Sequence, residues 1–282
     1  MELNRFIFGN AEFTFFQNEK SYKSNSPLLT PPHLHPFPEL FIALTGEAAI
    51  SGDFGVRKIS SQNVCIMPPL VYHDVIAGQS YNRLSIPFII REITPQDSRL
   101  DTYRIFSQML SLKESYITSY NPAVLKDIYS CLVEDKLFRR EKLKNIISLI
   151  FIDIAARLYE HPLLTEGRFE FTKKDKYYET LIELDQAVQL YFQSTKDYRS
   201  ICNDMYLTPR QVSRIIFSEY HKNAVDLRSE ARMRQAVFYL KKTKLPVAEI
   251  SEMLGYSSRE SFAVTFKKYF CVSPLKVRNF KA

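Results

Sequence analysis

Apolar positions change their period along the chain. Up to about residue 95 they come in short runs rich in aromatic and β-branched residues, broken by Gly, Pro and Asn. The stretch ELFIALTGEAAISGDFGVRKISSQNVCIMPPLVYHDVIAG reads as strand, glycine turn, strand, turn and strand. Short strands at this spacing predict a small antiparallel barrel or sandwich. The steps then become three and four residues, predicting helices over Ser98–Leu110, Pro122–Phe138 and Arg140–Glu160, with stripes such as Leu125, Ile128, Leu132 and Leu143, Ile147, Ile150, Ile154. Residues 161–176 read as a linker, and helices are predicted at about 178–193, 197–206, 208–220, 224–242, 246–254 and 258–270. The organisation expected is α+β and multidomain: a β-rich domain over 1–97, a helical interdomain segment over 98–160, the linker, and an all-α domain over 177–282.

Composition narrows the class. The chain has 282 residues, 45% of them hydrophobic and 24% charged, as in a globular protein with a real core. No apolar run approaches the ~18–20 residues that span a bilayer, and the start of the chain lacks the pattern of a secretory signal. The four cysteines, Cys65, Cys131, Cys202 and Cys271, have no CxxC or repeated spacing, which speaks against a disulfide framework. A cytoplasmic protein without a membrane partner is expected. Charge matters once it is located. From residue 176 onward there are 18 Lys+Arg against 11 Asp+Glu, so the whole net charge of +7 lies there. A basic surface that meets a polyanion is one reading, and a merely basic small domain is another.

The C-terminal helices separate these readings. Pro246 suits a first helical turn, Gly255 ends that helix where a positive φ is needed, and Ser257 or Ser258 can cap the next. Val247, Ile250 and Leu254 should then face Phe262, Phe266 and Tyr269. About 50 residues earlier the plan recurs, with Ile201 for Ile250, Thr208 for Ser257, and Val212 and Ile216 for Phe262 and Phe266. A duplicated helix-turn-helix is more specific than either copy alone.

These residues carry a resemblance. RMRQAVFYLKKTKLPVAEISEMLGYSSRESFAVTFKKYFCVSPLKVR resembles the signature of AraC/XylS-type transcriptional regulators, through Arg232, Ala236, Leu240, Ile250, Gly255, Tyr256, Phe262, Phe266, Lys267, Lys268, Ser273, Pro274 and Arg278. The resemblance implies two helix-turn-helix units joined by a long helix. The chain departs from the family pattern at Cys202, at Ile216-Phe217, at His221 and Cys271 where Gly is usual, and at Val277. With the apolar positions turned inward, Arg210, Ser213 and Arg214 of the first unit and Arg259, Glu260, Ala263 and Val264 of the second should face outward. Arg210, Arg214, Arg259 and Glu260 are the best base readers, and Lys267 and Lys268 suit phosphates. A solvated face or a salt bridge is the alternative for each arginine.

The β-rich segment carries a second constellation. His33-Leu-His35-x-x-x-Glu39-x6-Gly46 resembles the first motif of cupin barrels, and Met67–His73 the second, with Leu70 in place of the usual Gly. A cupin-like fold would bring His33, His35, Glu39 and His73 together, with Tyr72 beside them and Phe37 and Arg83 as weaker pocket candidates. Three imidazoles and a carboxylate suit a divalent transition metal. The same residues in AraC-type sensor domains contact a small effector such as a sugar, or satisfy one another. No organic cofactor is implied. The resemblance therefore implies an effector-controlled, sequence-specific regulator of promoter DNA that binds as a homodimer and, if an activator, meets RNA polymerase. A metal-dependent cupin enzyme or metal sensor carrying a DNA-localising domain is the alternative, and an adaptor with a basic protein-binding face is another.

Overall fold

The structure is a computed structural model that describes residues 2–17, 22–23, 29–93, 100–134, 137–161, 167–193 and 198–279. The expected boundary at residues 97–98 and the linker residues 162–166 lie outside the described residues. Two compact units meet the chain's division between Glu179 and Thr180. Residues 31–33 are hydrogen-bonded in a sheet of the first unit.

Eleven described strands build the first unit: β1 (Glu2–Phe8), β2 (Ala11–Gln17), β3 (Tyr22–Lys23), β4 (Leu29–His33), β5 (Glu39–Thr45), β6 (Glu47–Gly52), β7 (Gly55–Ser60), β8 (Asn63–Met67), β9 (His73–Ala77), β10 (Asn82–Glu92) and β11 (Tyr116–Ser119). They form a seven-stranded sheet in the order β1-β2-β10-β5-β8-β11, with β3 also on β10, and a four-stranded sheet β4-β9-β6-β7. Every register found in them is antiparallel, for example Phe41 opposite both Ser85 and Cys65. Strand pleating sends alternate side chains to opposite faces. Phe41, Ala43, Cys65 and Met67 therefore point into an apolar cluster shared with Ala48, Ile50, Ile59 and Val75 of the smaller sheet. The other face of β5 and β10, with Leu40, Ile42, Leu84, Ile86 and Phe88, is equally buried.

Helices cover that second face: α1 (Thr102–Ser111), α2 (Pro122–Val133) and α3 (Arg139–Glu160). Phe151 of α3 is the hinge of the packing, with ring centroids 4.9 Å from Phe88, 5.1 Å from Phe13 and 6.1 Å from Phe106. The stripe Leu143, Ile147, Ile150 and Ile154 is buried in the same layer. The helices expected as an interdomain segment thus close the core of the first unit, and β11, between α1 and α2, adds a strand where only helix was expected. Of the expected linker, Phe171 is buried and Phe169 exchanges hydrogen bonds with Ser107 on α1.

The remaining helices are α4 (Asp175–Gln193), α5 (Tyr198–Asp204), α6 (Pro209–Tyr220), α7 (Ala224–Lys242), α8 (Val247–Met253), α9 (Arg259–Phe270) and α10 (Pro274–Asn279). Six of them follow the sequence expectation. The last, α10, was not foreseen, although Ser273 sits where an N-cap stands and its hydroxyl accepts from the Lys276 N–H at 3.3 Å.

Candidate functional site

Each helix-turn-helix is set by its caps. Thr208 and Gln211 form a reciprocal capping box at the start of α6, and Ser258 and Ser261 form one at the start of α9. Ser258, not Ser257, is therefore the counterpart of Thr208, and the second turn is one residue longer than the first. Gly255 turns the second unit with φ +72°, where Tyr206 turns the first with φ +52°. Behind α9 a core of Met233, Ala236, Leu240, Ile250, Leu254, Phe262 and Phe266 is fully buried, with Phe270 packed against it. Phe270 takes the place expected for Tyr269, which is about half exposed: a helix repeats its inner face at four residues here, 262, 266 and 270, and not at three. Arg232 of α7 lies over the Tyr256 ring at 5.6 Å, and the Arg278 guanidinium donates to the Leu245 carbonyl at 2.5 Å, tying α10 back to the turn before α8. In the first helix-turn-helix the Tyr220 hydroxyl donates to the buried Asp185 carboxylate, which anchors α6 to α4.

The outward faces come out as the sequence implied, with one exception. Arg210, Ser213 and Arg214 on α6, and Arg259, Glu260, Val264, Lys267 and Lys268 on α9, are exposed, while Ala263 is only partly so. Ser213 is engaged as well as exposed, because its hydroxyl and that of Tyr198 share a 2.8 Å hydrogen bond. One exposed side chain on this face was not singled out from the sequence. Phe217 is 64% exposed and follows Arg214 by three residues on the same face of α6.

In the first unit, β4 is hydrogen-bonded beside β9, which sets His33 at the end of one strand next to His73 at the start of the other. One nitrogen from each of His33, His35 and His73 lies within 4.8 Å of the other two. Each outer histidine is oriented by its own backbone: Nδ1 of His33 meets the Pro31 carbonyl at 3.0 Å, and Nδ1 of His73 meets that of Val71 at 3.0 Å. A carbonyl acceptor there fixes the N–H on Nδ1 and leaves Nε2 as the lone-pair nitrogen. Three neutral imidazoles are a fitting donor set for a divalent transition metal. Glu39, partly buried at the start of β5, is not a member of the group, and Tyr72 is buried next to His73 in sequence. Gly46 ends β5 with φ +69°, where a Cβ would come within 2.9 Å of the Ser80–Tyr81 backbone, so this close approach excludes a side chain.

Deeper in the same apolar cluster is a cation. Arg83 of β10 is 2% exposed, and its guanidinium carbon sits 4.7 Å from the centre of the Phe41 ring. The same ring also meets His73 edge to face, with ring centroids 5.9 Å apart. Burial pushes the neighbouring Tyr81 phenol up to about 12, although the Arg83 charge pulls the other way, and burial also pushes the Cys65 thiol up. Both remain protonated at neutral pH.

A family model described as a helix-turn-helix domain matches residues 201–279. The C-terminal region is an AraC-type helix-turn-helix domain. Among solved structures, it is similar to the C-terminal domain of AraT, a response regulator from Geobacillus stearothermophilus, at 29% identity over 36% of this chain and 85% of that one, with a TM-score of 0.34. It is similar to the C-terminal domain of the response regulator yesN from Fusobacterium nucleatum at 20% identity over 37% and 100%, TM-score 0.33. Unsaturated fatty acid bound ToxT from Vibrio cholerae matches at 11% identity over 93% and 96%, TM-score 0.36. A search of curated proteins found no match. The AraC-type domain keeps its backbone even where its sequence departs from the family pattern: His221 and Cys271, standing where Gly is usual, end α6 and α9 with φ of 56° and 60°.

Proposed function

We propose that the protein binds duplex promoter DNA through α6 and α9 and that a small molecule held in the two-sheet unit controls this binding. The observation that carries the reading is the pair of capped recognition helices, each presenting exposed arginine near its N-terminus. Recognition helices read base edges with these first-turn residues, while lysines further along hold phosphate. Arg259 and Arg210 suit guanine, Glu260 suits cytosine N4, and Val264 suits a thymine methyl. The buried polar residues His35, Tyr72 and His73 support the effector site, and a bound ligand would shift the balance between arrangements that differ in DNA affinity.

The test is a selection of bound sequences followed by titration against salt. Arg259→Ala should relax base preference at one position at a cost of about 1–3 kcal/mol, whereas Lys268→Ala should weaken all sequences alike and lower the salt slope by about one. An unchanged preferred sequence in Arg259→Ala would sink the assignment of α9. The three-histidine group favours a second reading, in which the controlling ligand is a metal ion held by His33, His35 and His73. Elemental analysis of the protein beside His33→Ala decides between them: stoichiometric metal lost in the variant makes it a metal sensor.

A further inference from the structure

The helices α6 and α9 are one element used twice, and their outer faces differ at one turn. Each has twelve residues, a capping side chain before it and a left-handed residue after it: Thr208 and His221 for α6, Ser258 and Cys271 for α9. Their inward positions correspond one to one, Val212 to Phe262 and Ile216 to Phe266. On that register Phe217 stands where α9 has Lys267, and Ser218 where it has Lys268. From residue 215 to 220 the sequence of α6 holds neither Lys nor Arg. The third turn of α9 is therefore equipped for phosphate, whereas that of α6 offers an aromatic ring.

Exposure alone says little, because single exposed apolar side chains are common on protein surfaces. The place of this one decides. Arg210, Ser213, Arg214 and Phe217 are all exposed and form one stripe, turned away from the buried Val212, Ile216 and Tyr220. Whatever covers that stripe must supply acceptors for two guanidinium groups and an apolar group beside them. An apolar protein surface would strip water from both cations and give nothing back. The major-groove edge of DNA has both parts: guanine O6 and N7 accept from arginine, and thymine adds a methyl group.

We propose that Phe217 is a specificity-determining residue that packs on the 5-methyl group of a thymine beside the bases read by Arg210 and Arg214. The inference rests on the reading that α6 lies in the major groove, and it names one base of the site. Along the helix axis Arg214 and Phe217 are separated by about 4.5 Å, three residues at 1.5 Å each. Base pairs stack at about 3.4 Å, so the thymine lies within about two base pairs of the position that Arg214 specifies.

The experiment uses the full chain and the duplex recovered by selection of bound sequences. Each thymine is replaced in turn by deoxyuridine, which removes the methyl group and keeps every hydrogen-bonding group. One replacement, close to the position that relaxes in Arg214→Ala, should weaken binding about fourfold, the worth of one buried methyl. In Phe217→Ala the same replacement should change nothing, which is the signature of a direct pair. Phe217→Lys, which copies α9, should also lose the methyl response and should steepen the salt dependence by about one phosphate contact. The side chain is exposed, so all three proteins should share one Tm. No responsive thymine near the Arg214 position, or a response there that survives Phe217→Ala, overturns the proposal. Phe217→Ala binding every duplex as tightly as the parent overturns it too, and gives the ring to a protein partner or to solvent. A chain that binds no duplex DNA loses the reading of α6 as well, whereas one that binds DNA but ignores every deoxyuridine loses only this inference.

Discussion

Several residues stand in the left-handed backbone region without being glycine. Leu70, Tyr206, His221 and Cys271 have φ of 59°, 52°, 56° and 60°. For a residue with a Cβ this conformation costs about 1–2 kcal/mol, which Gly does not incur. Leu70, His221 and Cys271 are also the positions where the sequence departs from a Gly of the cupin or AraC pattern, so the departures altered the residue and kept the turn. Cys271→Gly should therefore stabilise the AraC-type domain by about 1 kcal/mol, read as a raised denaturation midpoint with unchanged m-value. A loss of stability would mean that the Cys271 side chain, exposed here, makes contacts that outweigh the strain. At this scale the sequence is legible where one residue type suits one backbone shape. It is not legible at Arg83. In Asn82–Phe88, Arg83 and Ser85 alternate with Leu84 and Ile86, which is the pattern of a strand with one wet face, and only a second sheet laid over that face buries them.

Elements were legible where period and caps agreed. The cap of α9 and the glycine turn before it could be placed from sequence to within a residue, while the reciprocal partners Gln211 and Ser261 were not read. The four-residue strand β11 could not, since YITS is too short to show alternation and is a strand only because β8 offers it an edge. The fully buried run of β5 likewise shows no period, because helices cover one face and the small sheet the other. One contact fixes how those helices sit. Asp101 caps α1 by accepting from the Arg104 N–H at 3.1 Å, and the Asn10 amide donates to the same carboxylate at 3.0 Å, which links α1 to the β1–β2 turn. Burial alone would raise the Asp101 pKa, but Asn10, the Arg104 N–H and the Arg104 guanidinium outweigh it and hold the carboxyl below its ordinary value. A depressed folded pKa contributes stability above the unfolded value of about 3.9 and loses it as pH falls through the folded one. Asp101→Ala should cost about 1 kcal/mol at neutral pH, and its gap to the parent protein should close in denaturation curves taken progressively below pH ~4. A gap that persists there would assign the effect to packing.

For the whole molecule, the charge imbalance and the division into units tell one story: the net charge of +7 falls entirely in the residues from 176 onward, and those residues carry the two helices proposed to read DNA. Since the stripe Leu143, Ile147, Ile150, Ile154 is used inside the first unit, any helical partner surface on α3 must be the opposite face. There Phe138, Ile146 and Leu149 line a shallow groove, with Phe138 69% and Leu149 46% exposed. Phe138→Ser with Leu149→Ser should turn a dimer into a monomer in sedimentation without changing Tm by more than a few degrees; a dimer that survives both changes uses another surface. The two recognition helices also differ in what they offer. One presents two arginines, a serine and a phenylalanine, the other an arginine, a glutamate, a valine and two lysines, and their turns differ in length. A single chain cannot read the same bases twice. If α6 and α9 both read bases, as proposed, the site lacks internal symmetry and the bound chain has a front and a back along the double helix.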